Sequence, residues 1–201
     1  MDAIDDAELL RAWQAGDRAA GSALFERHVA AVTRFFRSKT DHEVDDLVQE
    51  TFLACVKSLD ASRAITSFRG FLFGIARHKL LDHIARRRRA PFDPTTESAV
   101  AGGASPESAL VREEQHRLLA RALRQMPLDF QITLELFYWE GLAGEDIARA
   151  TGVSPHTVRS RLARARAALE EAVRELAETP ATATTTLGDL DGWARGLAAE
   201  L

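Results

Sequence analysis

Four arginines and no acid lie between Ser154 and Leu169, in the run SPHTVRSRLARARAAL. A guanidinium presents a planar fork of donors that fits the O6/N7 edge of guanine or a phosphate, so such a run is suited to reading and gripping a nucleic acid. The polar residues that would do this are His156, Thr157, Arg159, Ser160, Arg161, Arg164 and Arg166. A second cationic run, Arg86 to Arg89, stands upstream. Other chemistries find little to work with. The chain has one cysteine, Cys55, so neither an internal disulfide nor a cysteine metal cluster is available. His78 and His83 are five residues apart, a poor spacing for a shared metal on a helix. No glycine-rich phosphate loop and no nucleophile motif occurs. No catalytic residue, metal or cofactor is therefore expected.

The arginines need an element to hold them in a row. Val158, Leu162, Ala165 and Leu169 recur at spacings of three and four, which predicts a helix with one apolar stripe. Ser154 is placed to cap it and Pro155 to occupy its first position. Upstream, Leu142, Ile147 and Ala148 mark a shorter helix, ended by Thr151-Gly152-Val153. Gly152 can take the positive φ of a tight turn, and Ala148 is small where two helices must approach. Together these features predict a helix-turn-helix whose second helix enters the major groove. A solvated amphipathic helix is the blander account of an arginine face. The Gly turn, the Ser-Pro start and the small Ala148, all in register, favour DNA.

The 201-residue chain carries a net charge of −4, low for a DNA binder. The charge is segregated, with acids at 2–8, 41–50 and 170–178, and local field steers a polyanion. The N-terminus lacks a signal peptide and no apolar run reaches transmembrane length, so a cytoplasmic protein that does not insert into membranes is expected. Helical periodicity places Leu9, Leu10 and Trp13 on a first helix. Leu24, Val32, Phe35 and Phe36 fall on a second, capped by Asp17. Leu47, Val48, Phe52 and Cys55 fall on a third, where Cys55 should be a buried, inert thiol. A fourth runs from Phe68 to Ala85, through Phe71, Leu72, Ile75 and Leu80, into the arginines. Residues 90–109 hold three prolines and a Gly-Gly pair, which predicts a flexible tether. Helical pattern resumes at Leu110, through Leu118, Leu119, Ala122, Leu123 and Met126, and again over Phe130–Tyr138. Thr179 to Thr186 reads as a second linker, and Leu187, Leu190, Trp193, Leu197 and Leu201 as a short amphipathic helix. That tail helix either docks on one of the domains and tunes it, or merely finishes the second domain's core or stays disordered. Strand signals are nearly absent. The predicted fold is all-α: two small helical domains, a flexible linker, and a short C-terminal amphipathic helix.

Three motifs in order, DDLVQETF at 45–52, SFRGFLFGIARHKLLDHIARRRR at 67–89 and the arginine run at 154–169, make the chain resemble the extracytoplasmic-function group of RNA polymerase sigma factors in the sigma-70 family. The resemblance implies sigma region 2 over 1–89, the tether over 90–109, sigma region 4 over 110–178, and an extension of uncertain role over 179–201. It implies that Asp46, Gln49 and Glu50 bind the clamp of the polymerase's largest subunit. Phe71, Phe73, Arg77, His78, Lys79, Arg86 and Arg87 would act at the melted −10 element. The stripe position of Phe71 itself favours the core over a stacking platform. The family usually has tryptophan where Phe71 stands and asparagine where His78 stands. Arg159, Ser160 and Arg164 match positions that read the −35 element, while Arg161 and Arg166 fit phosphate grips or surface charges better. Implied partners are core RNA polymerase, through that clamp and the flap of the second-largest subunit, promoter DNA, and an anti-sigma factor. The competing class is a dimeric helix-turn-helix regulator, which would need a dimerising or ligand-sensing domain in place of residues 1–89.

Overall fold

The computed structural model describes residues 5–59, 65–89 and 107–188. Among them the secondary structure is helical throughout: α1 (Asp6–Gln14), α2 (Arg18–Arg37), α3 (Val44–Ser58), α4 (Phe68–Arg89), α5 (Glu107–Gln125), α6 (Leu128–Tyr138), α7 (Gly144–Thr151), α8 (Pro155–Leu176) and α9 (Pro180–Gly188). Most of the tether at 90–109 and the tail beyond Gly188 lie outside the described residues. By their contacts the helices form two compact units. One joins α1–α4 with the segment Leu142–Ser154, which carries α7. The other joins α5, α6, α8 and α9.

In the first unit the apolar stripes close on one another. Leu24, Val32, Phe35, Phe36, Leu47, Leu72, Ala76 and Leu80 are buried. Asp17 caps α2 as its position suggested, accepting from the backbone N–H of Ala19 at 2.9 Å and of Ala20 at 3.3 Å. Trp13 lies flat against α2 at Gly21, where a Cβ would stand 2.7 Å from the indole Nε1. Its ring meets Phe25 edge-on at 5.1 Å. Cys55 is fully buried, and burial pushes its thiol up to about 12, so little of it is thiolate at neutral pH. Ser67 starts α4 by accepting the N–H of Gly70 at 3.1 Å.

Asp6 ties α1 to α2. One carboxylate oxygen accepts from Arg27 Nη1 and the other meets His28 Nε2, each at 2.6 Å. His28 is buried, with its ring 5.5 Å from that of Phe68. Burial lowers its pKa below the usual 6.5; Asp6 opposes that shift, while Arg69 and Arg27 add to it. A histidine held neutral in the fold takes up its proton more readily when unfolded. This contribution to stability is therefore complete above the unfolded value of 6.5 and falls as the pH drops below it. Thermal melts from pH 8 to pH 5 should show a falling Tm, and His28→Gln should flatten the part of that slope nearest 6.5. An identical slope in the variant would assign the pH response to other groups.

The second unit packs α8 along α5 and α6. Leu118, Leu119, Ala122, Leu123, Leu134, Ala165, Leu169 and Val173 form its buried centre. The segment read from sequence as a second linker, Thr179 to Thr186, is instead helical, as most of α9. Pro180 sits at the first helical position, where a missing N–H is harmless, and Thr179 Oγ1 accepts the N–H of Thr182 at 3.1 Å. The hydroxyls of Thr184 and Thr185 donate to the carbonyls of Pro180 and Ala181, both at 2.9 Å, so the threonines satisfy their polar groups within the helix. Ala183 is buried in the centre of the unit and Leu187 packs on it.

Candidate nucleic-acid and polymerase interfaces

Three helices carry the residues singled out from sequence. On α8 the apolar stripe turns inward: Val158, Ala165 and Leu169 are buried and Leu162 packs on the centre of the unit. The opposite side is open. His156, Arg159, Arg164 and Arg166 are exposed, and Thr157 and Ser160 are half-buried. Arg164 is steadied in two ways. Its Nε donates to the Ser160 carbonyl at 3.3 Å, and its guanidinium lies 5.8 Å from the Phe130 ring centre. Arg166 leans on the aromatic pair of α6, 5.7 Å from Phe137 and 5.2 Å from Tyr138. Arg161 departs from expectation. Its side chain is only 13% exposed and reaches Asp129 of α6 at 3.5 Å. It buttresses α8 on α6 and is not placed as a surface phosphate grip.

On α3, Asp46 and Gln49 are exposed and lie on one face with Leu53 and Val56, at steps of three, four and three. Leu53 is 51% and Val56 48% exposed, an apolar surface that periodicity alone did not reveal. With Val29 of α2, itself 41% exposed, they border an open groove of about 410 Å³ floored by Phe25 and Phe52. An exposed apolar strip with a polar edge suits a macromolecular partner. Glu50 stands apart from Asp46 and Gln49. It is half-buried and accepts from Lys79 Nζ of α4 at 3.1 Å. The sequence assigned these two residues to different surfaces; the fold pairs them.

On α4 the aromatic residues divide. Phe71 is half-buried and lines a cleft of about 520 Å³ with Ser67, Arg77, His78 and Lys79. Phe73 is fully buried, its ring 5.6 Å from that of Phe35. A base cannot stack on it, which corrects its expected place at the −10 element. The reason is geometric: residues two apart on a helix point about 200° apart, so only one of them can face the cleft. His78 is exposed, with its Nδ1 3.2 Å from the Gly74 carbonyl. Arg86 and Arg87 are exposed at the end of α4, where cations favour the helix dipole. α7 begins at Ala143 without a side-chain cap, and Gly152 closes it at φ +72° as the turn required.

Similarity to known proteins follows the same division. Residues 24–90 match the family described as Sigma-70 region 2, and residues 116–169 match Sigma-70, region 4. The RNA polymerase sigma-H factor of Pseudomonas aeruginosa is 31% identical over 185 residues, covering 85% of this chain and 95% of its own length. The ECF RNA polymerase sigma-E factor of Escherichia coli K12 is 30% identical over 187 residues, covering 86% and 96%. Among solved structures, CnrH in complex with the cytosolic domain of CnrY superposes with a TM-score of 0.61 at 27% identity, over 85% of this chain and 99% of that one. The sigma factor RpoE of Bartonella quintana, in complex with the anti-sigma factor NepR, shares the fold at a TM-score of 0.56 and 23% identity, over 76% of this chain and 93% of that one.

Proposed function

The chain belongs to the sigma-70 family, among the extracytoplasmic-function RNA polymerase sigma factors, and from that premise we propose a division of labour among its helices. Residues 1–89 act as region 2. Asp46, Gln49, Leu53 and Val56 of α3, with Val29, meet the clamp of the largest polymerase subunit. The apolar strip supplies the buried area, and the acid and amide accept from a basic partner. Residues 110–178 act as region 4, with a further contact to the flap of the second-largest subunit. Arg159 and Arg164 of α8 read base edges in the −35 major groove, and Arg166 holds a phosphate. Phe71, Arg77, His78 and the Arg86–Arg87 cations receive the opened −10 strand. Two weak sites on one tether raise each other's effective concentration, so promoter binding is strong only when both engage.

The observation that carries this reading is that one chain keeps both surfaces open, the Asp46–Val56 row on α3 and the Arg159–Arg164 row on α8. Full-length similarity to sigma subunits disfavours the dimeric regulator. An anti-sigma factor that covers one or both rows is the partner expected to hold the protein in check. Among the described residues no helix is long and apolar enough to cross a membrane. Added to core RNA polymerase and a library of promoter fragments, the protein should start RNA chains at defined sites. Absence of any promoter-dependent transcript would refute the proposal.

A further inference from the structure

Arg161 and Arg164 are three residues apart on α8, yet the first is only 13% exposed and the second stands in solvent. The first turn of α6 accounts for both. Asp129 draws Arg161 against α6, and its neighbour Phe130 lies beside Arg164, 5.8 Å from ring centre to guanidinium. Phe130 is half-buried and packs on the apolar centre of the unit. The core therefore fixes the ring, and the ring backs the guanidinium. On α8 itself there is little else to hold it. The residues three and four positions after Arg164 are Ala167 and Ala168. Those before it are Arg161, turned to Asp129, and Ser160, whose carbonyl accepts from Arg164 Nε at 3.3 Å. Among the described residues no carboxylate pairs with Arg164. A carboxylate would steady a guanidinium by occupying the donors that a base needs. An aromatic face attracts the cation through its quadrupole and leaves the fork of N–H groups free to donate.

We propose that Phe130 is a positioning residue for −35 recognition. Its ring holds the Arg164 guanidinium in the pose that reads a base edge, so less side-chain freedom is lost when DNA binds. This rests on the base-reading role given to Arg164 above. Arg159 has neither an ion pair nor an aromatic ring beside it among the described residues, so its own reading is independent of Phe130.

Promoter selection tests this. Core RNA polymerase with the full-length protein transcribes a template library randomised over the −35 element, and the abundance of each template's RNA gives the preference at every position. Arg164→Ala and Arg159→Ala mark the position that each arginine reads. Phe130→Leu keeps an apolar side chain on the core and removes the ring. It should reduce the preference at the Arg164 position by about two- to fivefold, the range for an exposed cation–π contact, and leave the Arg159 position unchanged. Phe130→Tyr keeps the ring and should keep the preference. In the Arg164→Ala background, Phe130→Leu should have no further effect. An unchanged preference at the Arg164 position in Phe130→Leu overturns the proposal. So does an equal loss in Phe130→Tyr, an equal loss at both positions, or a loss that persists without Arg164, because each assigns Phe130 to packing alone. Should Phe130→Leu melt below the assay temperature, Phe130→Met is read by the same outcomes. If Arg164→Ala marks no position while the unmodified protein directs transcription, the base-reading role of Arg164 is refuted and the role of Phe130 with it. When Phe130 alone is wrongly assigned, Arg164→Ala still marks its position.

Discussion

Phe73→Ala is expected to destabilise the first unit by about 3–5 kcal/mol, the usual range for deleting a fully buried phenylalanine. The ring is 0% exposed and packs at 5.6 Å on Phe35, itself buried. Alanine leaves a void on a helix whose other face carries the cleft, so neighbouring side chains can close it only by shifting α4. A small domain has about 5–15 kcal/mol in total, and the loss would show as a marked fall in the urea midpoint. Phe71→Ala provides the contrast. Phe71 is half-buried beside the cleft, so the same truncation should cost less stability and weaken strand opening more. Equal urea midpoints for the two variants would contradict the division of roles drawn between them.

Arg159→Ala should lower affinity for a cognate −35 duplex by about 1–3 kcal/mol and relax selection at one base pair. Arg159 is exposed on the acid-free face of α8, and truncating it leaves the buried stripe untouched. Arg161→Ala should behave differently. That side chain is 13% exposed and reaches Asp129, so its loss loosens α8 from α6 and lowers thermal stability with little change in base preference. Selection of binding sites from a randomised duplex pool reads the first effect, and melting reads the second. A base preference that shifts with Arg161 and not with Arg159 would exchange their roles.

Much of this was legible in the chain because helical periodicity and capping act locally. The stripe Val158–Leu169, the cap at Asp17, the turn at Gly152 and the buried thiol at Cys55 are each encoded within a few residues. The resemblance motifs pointed to the family. What escaped depends on neighbours distant in sequence. Phe71 and Phe73 have the same side chain, and only the packing of α4 against α2 tells core from cleft. Leu53 and Val56 look like core residues in any apolar count, yet the α2–α3 geometry leaves them half in solvent. Arg161 is chemically equal to Arg159 and differs by which one finds Asp129. α9 was missed for another reason. Threonine and proline weigh against a helix interior, but here proline sits at the start and the hydroxyls of Thr184 and Thr185 bond back along their own helix.

The docking of α9 resets where this protein can be cut. Similarity to region 4 stops at residue 169, and a fragment drawn to that edge would omit Ala172, Val173 and Ala183, three side chains of the same apolar interior. A fragment ending at Glu178 would still uncover the surface on which Ala183 and Leu187 rest. Poor solubility or lost promoter selectivity in such shortened proteins would then report a breached interior, not the removal of a regulatory appendage. The shortest C-terminal boundary that keeps the described helices whole is Gly188.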